Sequence, residues 1–84
     1  MNMVTVKYRG HLPALTGVTE ETMEAHDVEG ALRSIRKLHG REAEKAARAM
    51  LITVNGESIL LLKSYKTALK EGDMLGFFPL CAGG

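Results

Sequence analysis

Few residues in this chain could do chemistry, and one stretch stands apart from the rest. The sequence closes with Leu80-Cys81-Ala82-Gly83-Gly84, which carries no charged side chain. Gly83 and Gly84 lack a Cβ, so this backbone can pass through a narrow slot and approach another protein's active site closely. The carboxylate of Gly84 is ionised at neutral pH and is a poor electrophile in that form. Joined to AMP as a mixed anhydride, it becomes a good acyl donor. Neither G-x-x-x-x-G-K-[ST] nor G-x-G-x-x-G occurs, so a partner would have to bind the ATP.

Other chemistry finds little support. His11, His26 and His39 fall on a loop, a strand end and a helix end, and none has a histidine or cysteine at metal-ligand spacing. They read as solvated surface residues. Cys81 has no histidine near it in sequence, so no nucleophile–base pair can be drawn. Without an acid, base or metal set, the chain is not expected to be an enzyme on its own, nor to hold a cofactor.

Length and charge narrow the class further. With 84 residues the chain is one domain with a small core and no room for a deep catalytic cavity. Eleven basic residues against ten acidic ones give no field for tracking phosphates, so nucleic acid is not an expected partner. A lone cysteine excludes an internal disulfide and fits a reducing cytoplasm. The N-terminus shows no charged segment followed by an apolar one, so no signal peptide is expected. Apolar runs such as Ile59 to Leu62 are far too short to span a bilayer.

The elements that must position the tail follow from periodicity. Val4, Val6 and Tyr8 alternate with polar residues and predict a strand. Gly10 to Gly17 reads as a loop, with Leu12 and Leu15 folded back over the core edge. Val18 to His26 predicts a second strand, antiparallel to the first, with Glu21, Met23 and Ala25 on one face. Asp27 is the N-cap of a helix whose stripe is Val28, Ala31, Leu32, Ile35 and Leu38, ending at Gly40. Gly30 inside its first turn costs about 1 kcal/mol relative to alanine, and nothing in the sequence says why it is there.

Arg41 to Met50 reads as a short second helix, with Ala43, Ala46, Ala47 and Met50 on one face and a Glu44–Arg48 pair. Leu51 to Val54 is a strand, Asn55-Gly56 a hairpin turn and Ile59 to Leu62 a short apolar strand. Four apolar residues in a row read either as a strand buried on both faces or as an exposed docking patch. Leu69 to Asp73 is a tight turn, and Met74 to Phe78 is the last strand, stopped by Pro79. The order describes an α+β domain over residues 1–79: a mixed sheet of four or five strands, one main helix and a short second one. Its core gathers Val6, Leu32, Ile35, Val54 and Phe77, and residues 80–84 are expected as a flexible tail.

Gly72-Asp73, then Met74-Leu75-Gly76-Phe77-Phe78-Pro79, then Ala82-Gly83-Gly84 resembles the C-terminal signature of the MoaD/ThiS sulfur carriers. The likeness extends to Val4, Val6 and Tyr8, to Leu15-Thr16-Gly17, to the helix at Val28 to Leu38 and to Val54-Asn55-Gly56. It implies a ubiquitin-like β-grasp fold. The Arg41 to Met50 segment brings the length nearer the molybdopterin type, the small subunit of molybdopterin synthase, than the thiamine type.

The resemblance also implies a mechanism and partners. An adenylating enzyme, using its own bound ATP, would form an acyl-adenylate on Gly84. A persulfide donor would displace AMP and leave a thiocarboxylate. A sulfur-accepting enzyme, such as the large subunit of molybdopterin synthase, would then take the tail. Phe77, Phe78 and Pro79 would be the packed base of a partner-binding stretch that continues through Leu80, Cys81, Ala82 and Gly83. Leu80 and Cys81 depart from the family's usual second proline and valine. The loss of proline should loosen the tail, and Cys81 reads as a small apolar replacement. A ubiquitin-like modifier joined to lysines through Gly84 needs the same tail, as do carriers for thiamine or cysteine synthesis.

Overall fold

The computed structural model describes residues 2–80. Strand β1 (Met3–Lys7) runs into a short helix α1 (Leu12–Thr16), and strand β2 (Glu20–Glu24) returns beside it. Helix α2 (Val28–His39) then crosses the sheet, and α3 (Arg41–Arg48) follows after a single residue. Strands β3 (Leu51–Val54) and β4 (Glu57–Ser58) form a hairpin, and β5 (Met74–Phe78) completes the sheet. The strand order is β2-β1-β5-β3-β4. β1 and β5 are parallel and the remaining pairs antiparallel. The last strand of the sequence therefore lies at the centre of the sheet.

One face of the sheet is covered by helices. Val4 and Val6 of β1, Met23 of β2, Ile52 and Val54 of β3, and Leu75 and Phe77 of β5 are buried beneath Val28, Ala31, Leu32 and Ile35 of α2. Burying each large aliphatic or aromatic side chain contributes about 1.5–3 kcal/mol. The five core residues expected from the sequence are all in this cluster. Asn55 and Gly56 both take positive φ, 52° and 86°, the backbone of a tight two-residue hairpin turn.

Asp27 caps α2 by accepting from the Gly30 amide at 2.7 Å. That contact explains Gly30. A Cβ there would stand 3.1 Å from Asp27 Oδ1, so the small residue leaves room for the cap. Arg48 ties the two helices together, donating to both Glu29 oxygens at 3.0 and 2.8 Å and to Glu44 at 3.0 Å.

Several expectations need correction. The Gly10–Gly17 segment contains α1, because Pro13 presets the first turn and Leu12 anchors it in the core. The second strand spans Glu20–Glu24 rather than residues 18–26. Leu38 is not on the buried stripe of α2; it is 58% exposed, and the next residue, His39, is the one turned towards β2 through Glu21. The second helix stops at Arg48, and Ala49 and Met50 turn the chain into β3.

The run Ile59 to Leu62 is not a strand. Ile59–Leu61 forms a 3-10 turn in which the Leu60 amide donates to the Ser58 hydroxyl. Ile59 is buried, whereas Leu60 and Leu61 are 76% and 77% exposed, so among the described residues nothing covers those two. A turn of three residues per revolution points successive side chains different ways, which a sheet could not do with four apolar neighbours.

Candidate docking site at the root of the tail

β5 delivers Phe77, Phe78 and Pro79 in strict alternation, and each meets a different environment. Phe77 points into the core and is fully buried. Its ring stacks on Tyr8, centroids 6.1 Å apart and nearly parallel. The sequence reading placed Phe77 among the partner-binding residues. Its side chain is packed in the domain's interior and forms part of the base from which the tail leaves.

Phe78 points to the uncovered face of the sheet and is partly exposed. The guanidinium of Arg9 lies over its ring, with Cζ 4.1 Å from the centroid. Pro79 is exposed towards solvent on one side and seated against Gly10 on the other. Gly10 has a φ of +64°, and a Cβ built on it would stand 2.6 Å from Pro79 Cγ and 3.4 Å from Met50 Cε. Leu80 is 64% exposed and forms part of the wall of a groove of about 290 Å³, with Met50, Leu51, Ile59, Leu60 and Tyr65. Cys81, Ala82, Gly83 and Gly84 lie outside the described residues.

The base of the tail is braced from beneath by polar contacts. The Tyr8 hydroxyl donates to Glu21, and His39 Nε2 meets the same carboxylate oxygen at 2.6 Å. Burial, and then the bond to Glu21, push the Tyr8 phenol well above its ordinary range. His39 is therefore not the solvated residue expected; its side chain is tucked edge-on against Tyr8. Glu21 is the residue whose inward face could have signalled this, since an acid at an inward strand position needs a partner.

The other end of β5 is held as firmly. Asn55 donates to Asp73 at 3.0 Å and accepts from the Met74 amide at 2.9 Å. Asp73 also accepts from the Lys70 amide, at 2.8 Å. These bonds, first the one from Asn55 and then the one from the Lys70 backbone, hold the Asp73 carboxyl below its ordinary value. Two signatures far apart in sequence, Asn55-Gly56 and Gly72-Asp73, are thus one structural joint. Gly10, Arg9 and the spatial role of Gly76 were missed by sequence reasoning. A glycine in a turn and a basic residue after a strand look ordinary until Pro79 and Phe78 are placed on them.

Among the described residues no group of three His, Cys, Asp or Glu side chains could hold a metal ion. No described helix is long and apolar enough to cross a membrane. The described surface at this root exposes Phe78, Pro79 and Leu80.

A mixed five-stranded sheet with its helices packed on one face, the main one being α2, and with the last strand at its centre, defines a ubiquitin-like β-grasp protein. The ThiS family model matches residues 6–84, and the chain belongs to this family of small ubiquitin-like sulfur carriers and their MoaD-type relatives. Among solved structures, a Pyrococcus furiosus protein provisionally described as molybdopterin converting factor, subunit 1, is 31% identical. It covers 94% of this chain and 98% of its own, with a TM-score of 0.76. Small archaeal modifier protein 1 of Methanosarcina acetivorans is 26% identical over 100% of this chain and 98% of its own, with a TM-score of 0.82. The Amycolatopsis orientalis BexX/CysO complex supplies a match at 23% identity, 96% and 99% coverage and a TM-score of 0.84, a likeness of fold. A comparison with curated protein sequences finds no significant match.

Proposed function

We propose that this chain carries sulfur as a thiocarboxylate on Gly84 and delivers it to a synthase of the molybdopterin type. The observation that carries the reading is the root of the tail. The central strand ends at Phe78, and Pro79 and Leu80 emerge exposed beside Gly10, held at their base but uncovered outwards. The likeness to the Pyrococcus furiosus protein supports the molybdopterin assignment.

Each step needs an external partner. The Gly84 carboxylate attacks the α-phosphate of ATP held by an adenylating enzyme and releases pyrophosphate. A persulfide donor then displaces AMP and forms an acyl disulfide. A second thiol reduces the S–S bond, leaving the thiocarboxylate on Gly84 and a disulfide on the donor side. The accepting synthase uses that sulfur as a nucleophile. This chain supplies the reacting carboxylate, the slim backbone of Ala82 and Gly83 and the docking surface at Phe78, Pro79 and Leu80. Its sequence contains neither G-x-x-x-x-G-K-[ST] nor G-x-G-x-x-G.

The archaeal modifier likeness favours a second reading, conjugation of Gly84 to lysines of other proteins. Intact mass spectrometry of the protein isolated from its native host separates the two. A mass change matching one oxygen exchanged for sulfur is expected. Branched Gly84–lysine peptides without that exchange would overturn the carrier reading in favour of the modifier.

A further inference from the structure

Arg9 sits just beyond β1 with its guanidinium over the Phe78 ring. Its Nη1 is buried and, among the described residues, has no hydrogen-bond acceptor. Leaving such a donor unmatched costs about 1–3 kcal/mol. Arg9 and its neighbour on the strand, Lys7, enter no ion pair among the described residues. Glu29 and Glu44 are occupied by Arg48, and Asp73 by Asn55 and Lys70.

Gly76 makes the room. It has no positive φ, so its backbone does not require glycine. A Cβ there would stand 2.9 Å from Thr53 Oγ1, 3.2 Å from Phe78 Cε2 and 3.4 Å from Arg9 Nη1. The result is a cleft of about 190 Å³ on the uncovered sheet face, lined by Lys7, Arg9, Thr53, Met74, Gly76 and Phe78 together with Gly56. Its lining holds two cations and no acid.

We propose that this cleft receives an acidic side chain of the enzyme that activates the tail, the carboxylate pairing with the positive charge of Arg9 and Lys7 that line it. The proposal rests on the carrier reading and names the chemistry of its first partner. Arginine suits the task because a planar guanidinium can stack on Phe78 and still offer an edge to a carboxylate. The location suits it too. From Pro79 to Gly84 the chain can reach at most about 20 Å, so a contact that fixes Phe78 also fixes where Gly84 arrives in the partner.

The test uses the full-length chain and the purified adenylating enzyme of the same host. ATP–pyrophosphate exchange is followed while the carrier concentration is varied at low and raised NaCl. Arg9→Gln is expected to raise the KM for the carrier about tenfold with kcat unchanged, and to flatten its salt dependence. Arg9→Lys should recover part of the loss. Gly76→Ala, which fills the cleft, should also raise KM. The melting temperature of Arg9→Gln should equal or exceed that of the wild type, because Nη1 has no internal bond to lose. An unchanged KM in Arg9→Gln overturns the proposal, and so does a raised KM matched by a lower melting temperature. A raised KM for ATP, with that for the carrier unchanged, would give the cleft to a phosphate and overturn it as well. If the wild-type chain supports no exchange at all, the carrier reading itself falls and takes this proposal with it.

Discussion

Pro79 Cγ occupies the place where a side chain on Gly10 would begin: a Cβ built there would stand 2.6 Å away. Two residues at opposite ends of the sequence are packed so closely that one of them must be glycine. The two meet because β1 and β5 are parallel neighbours, which brings the loop after β1 beside the end of β5.

Gly10→Ala should therefore act on both stability and tail geometry. The positive φ alone carries a penalty of about 1–2 kcal/mol for a residue with a Cβ, and the clash adds to it. Chemical denaturation should show a loss of at least that size. Chemical shifts of Phe78 and Leu80 should move, while those of α2 stay in place. A variant of wild-type stability with an unshifted tail root would show that the contact is not tight.

The Arg48 hub predicts a specific response to acid. Glu29 is held below its ordinary pKa of 4.5, first by the hydrogen bonds from Arg48 and then by its charge, with Arg33 adding to both effects. A carboxyl depressed in the folded state stabilises the fold above the unfolded value and loses that contribution as pH falls through the folded one. Stability should thus decline below pH 4.5. Arg48→Met should make that decline shallower and should lower stability at pH 7. Urea midpoints measured across the acid range would reveal an unchanged slope if the hub contributes nothing.

Tyr8 predicts the opposite limb. Its phenol is raised above the ordinary 10.0 by burial and by the bond to Glu21. Above pH 10.0 the unfolded chain releases this proton and the folded chain keeps it, so stability falls as pH rises. Tyr8→Phe should remove much of this alkaline loss. Ultraviolet titration of the wild type should show the Tyr8 phenol ionising only together with unfolding; its ionisation in the folded protein near pH 10 would contradict the buried geometry.

The leucine-rich run divides sharply. Ile59→Ala removes a buried side chain and should cost about 2–5 kcal/mol. Leu61→Ser alters a residue that is 77% exposed and should change stability by no more than about 0.5 kcal/mol. Thermal or chemical unfolding of the two variants checks this, and equal losses would mean that Leu61 is packed after all.

Much of the architecture was legible because periodicity reports burial. Val4, Val6 and Tyr8, the α2 positions Val28, Ala31, Leu32 and Ile35, and Leu75 with Phe77 all repeat at the spacing of their element, and all are buried. Asn55-Gly56 announced its turn because so few residues accept two successive positive φ angles. Gly83-Gly84 is likewise a local property of the chain, and the chemistry expected of it rests on that sequence feature. Leu38 and Leu60 to Leu62 misled because apolarity alone does not say whether anything arrives to cover a residue.

What local pattern determined on its own was most of the inventory: the first, second, third and last strands, the main helix, its Asp27 cap and a bare glycine end. The tertiary structure decided which distant residues meet. It brought Gly10 under Pro79, laid Arg9 over Phe78 with its Nη1 unmatched, joined Glu21 to His39 and Tyr8, and made one joint of Asn55 and Asp73. Such contacts depend on strand order and on the parallel pairing of β1 with β5. Propensity and periodicity act over a few residues of chain, whereas these pairings are set by how whole elements bury their apolar faces together.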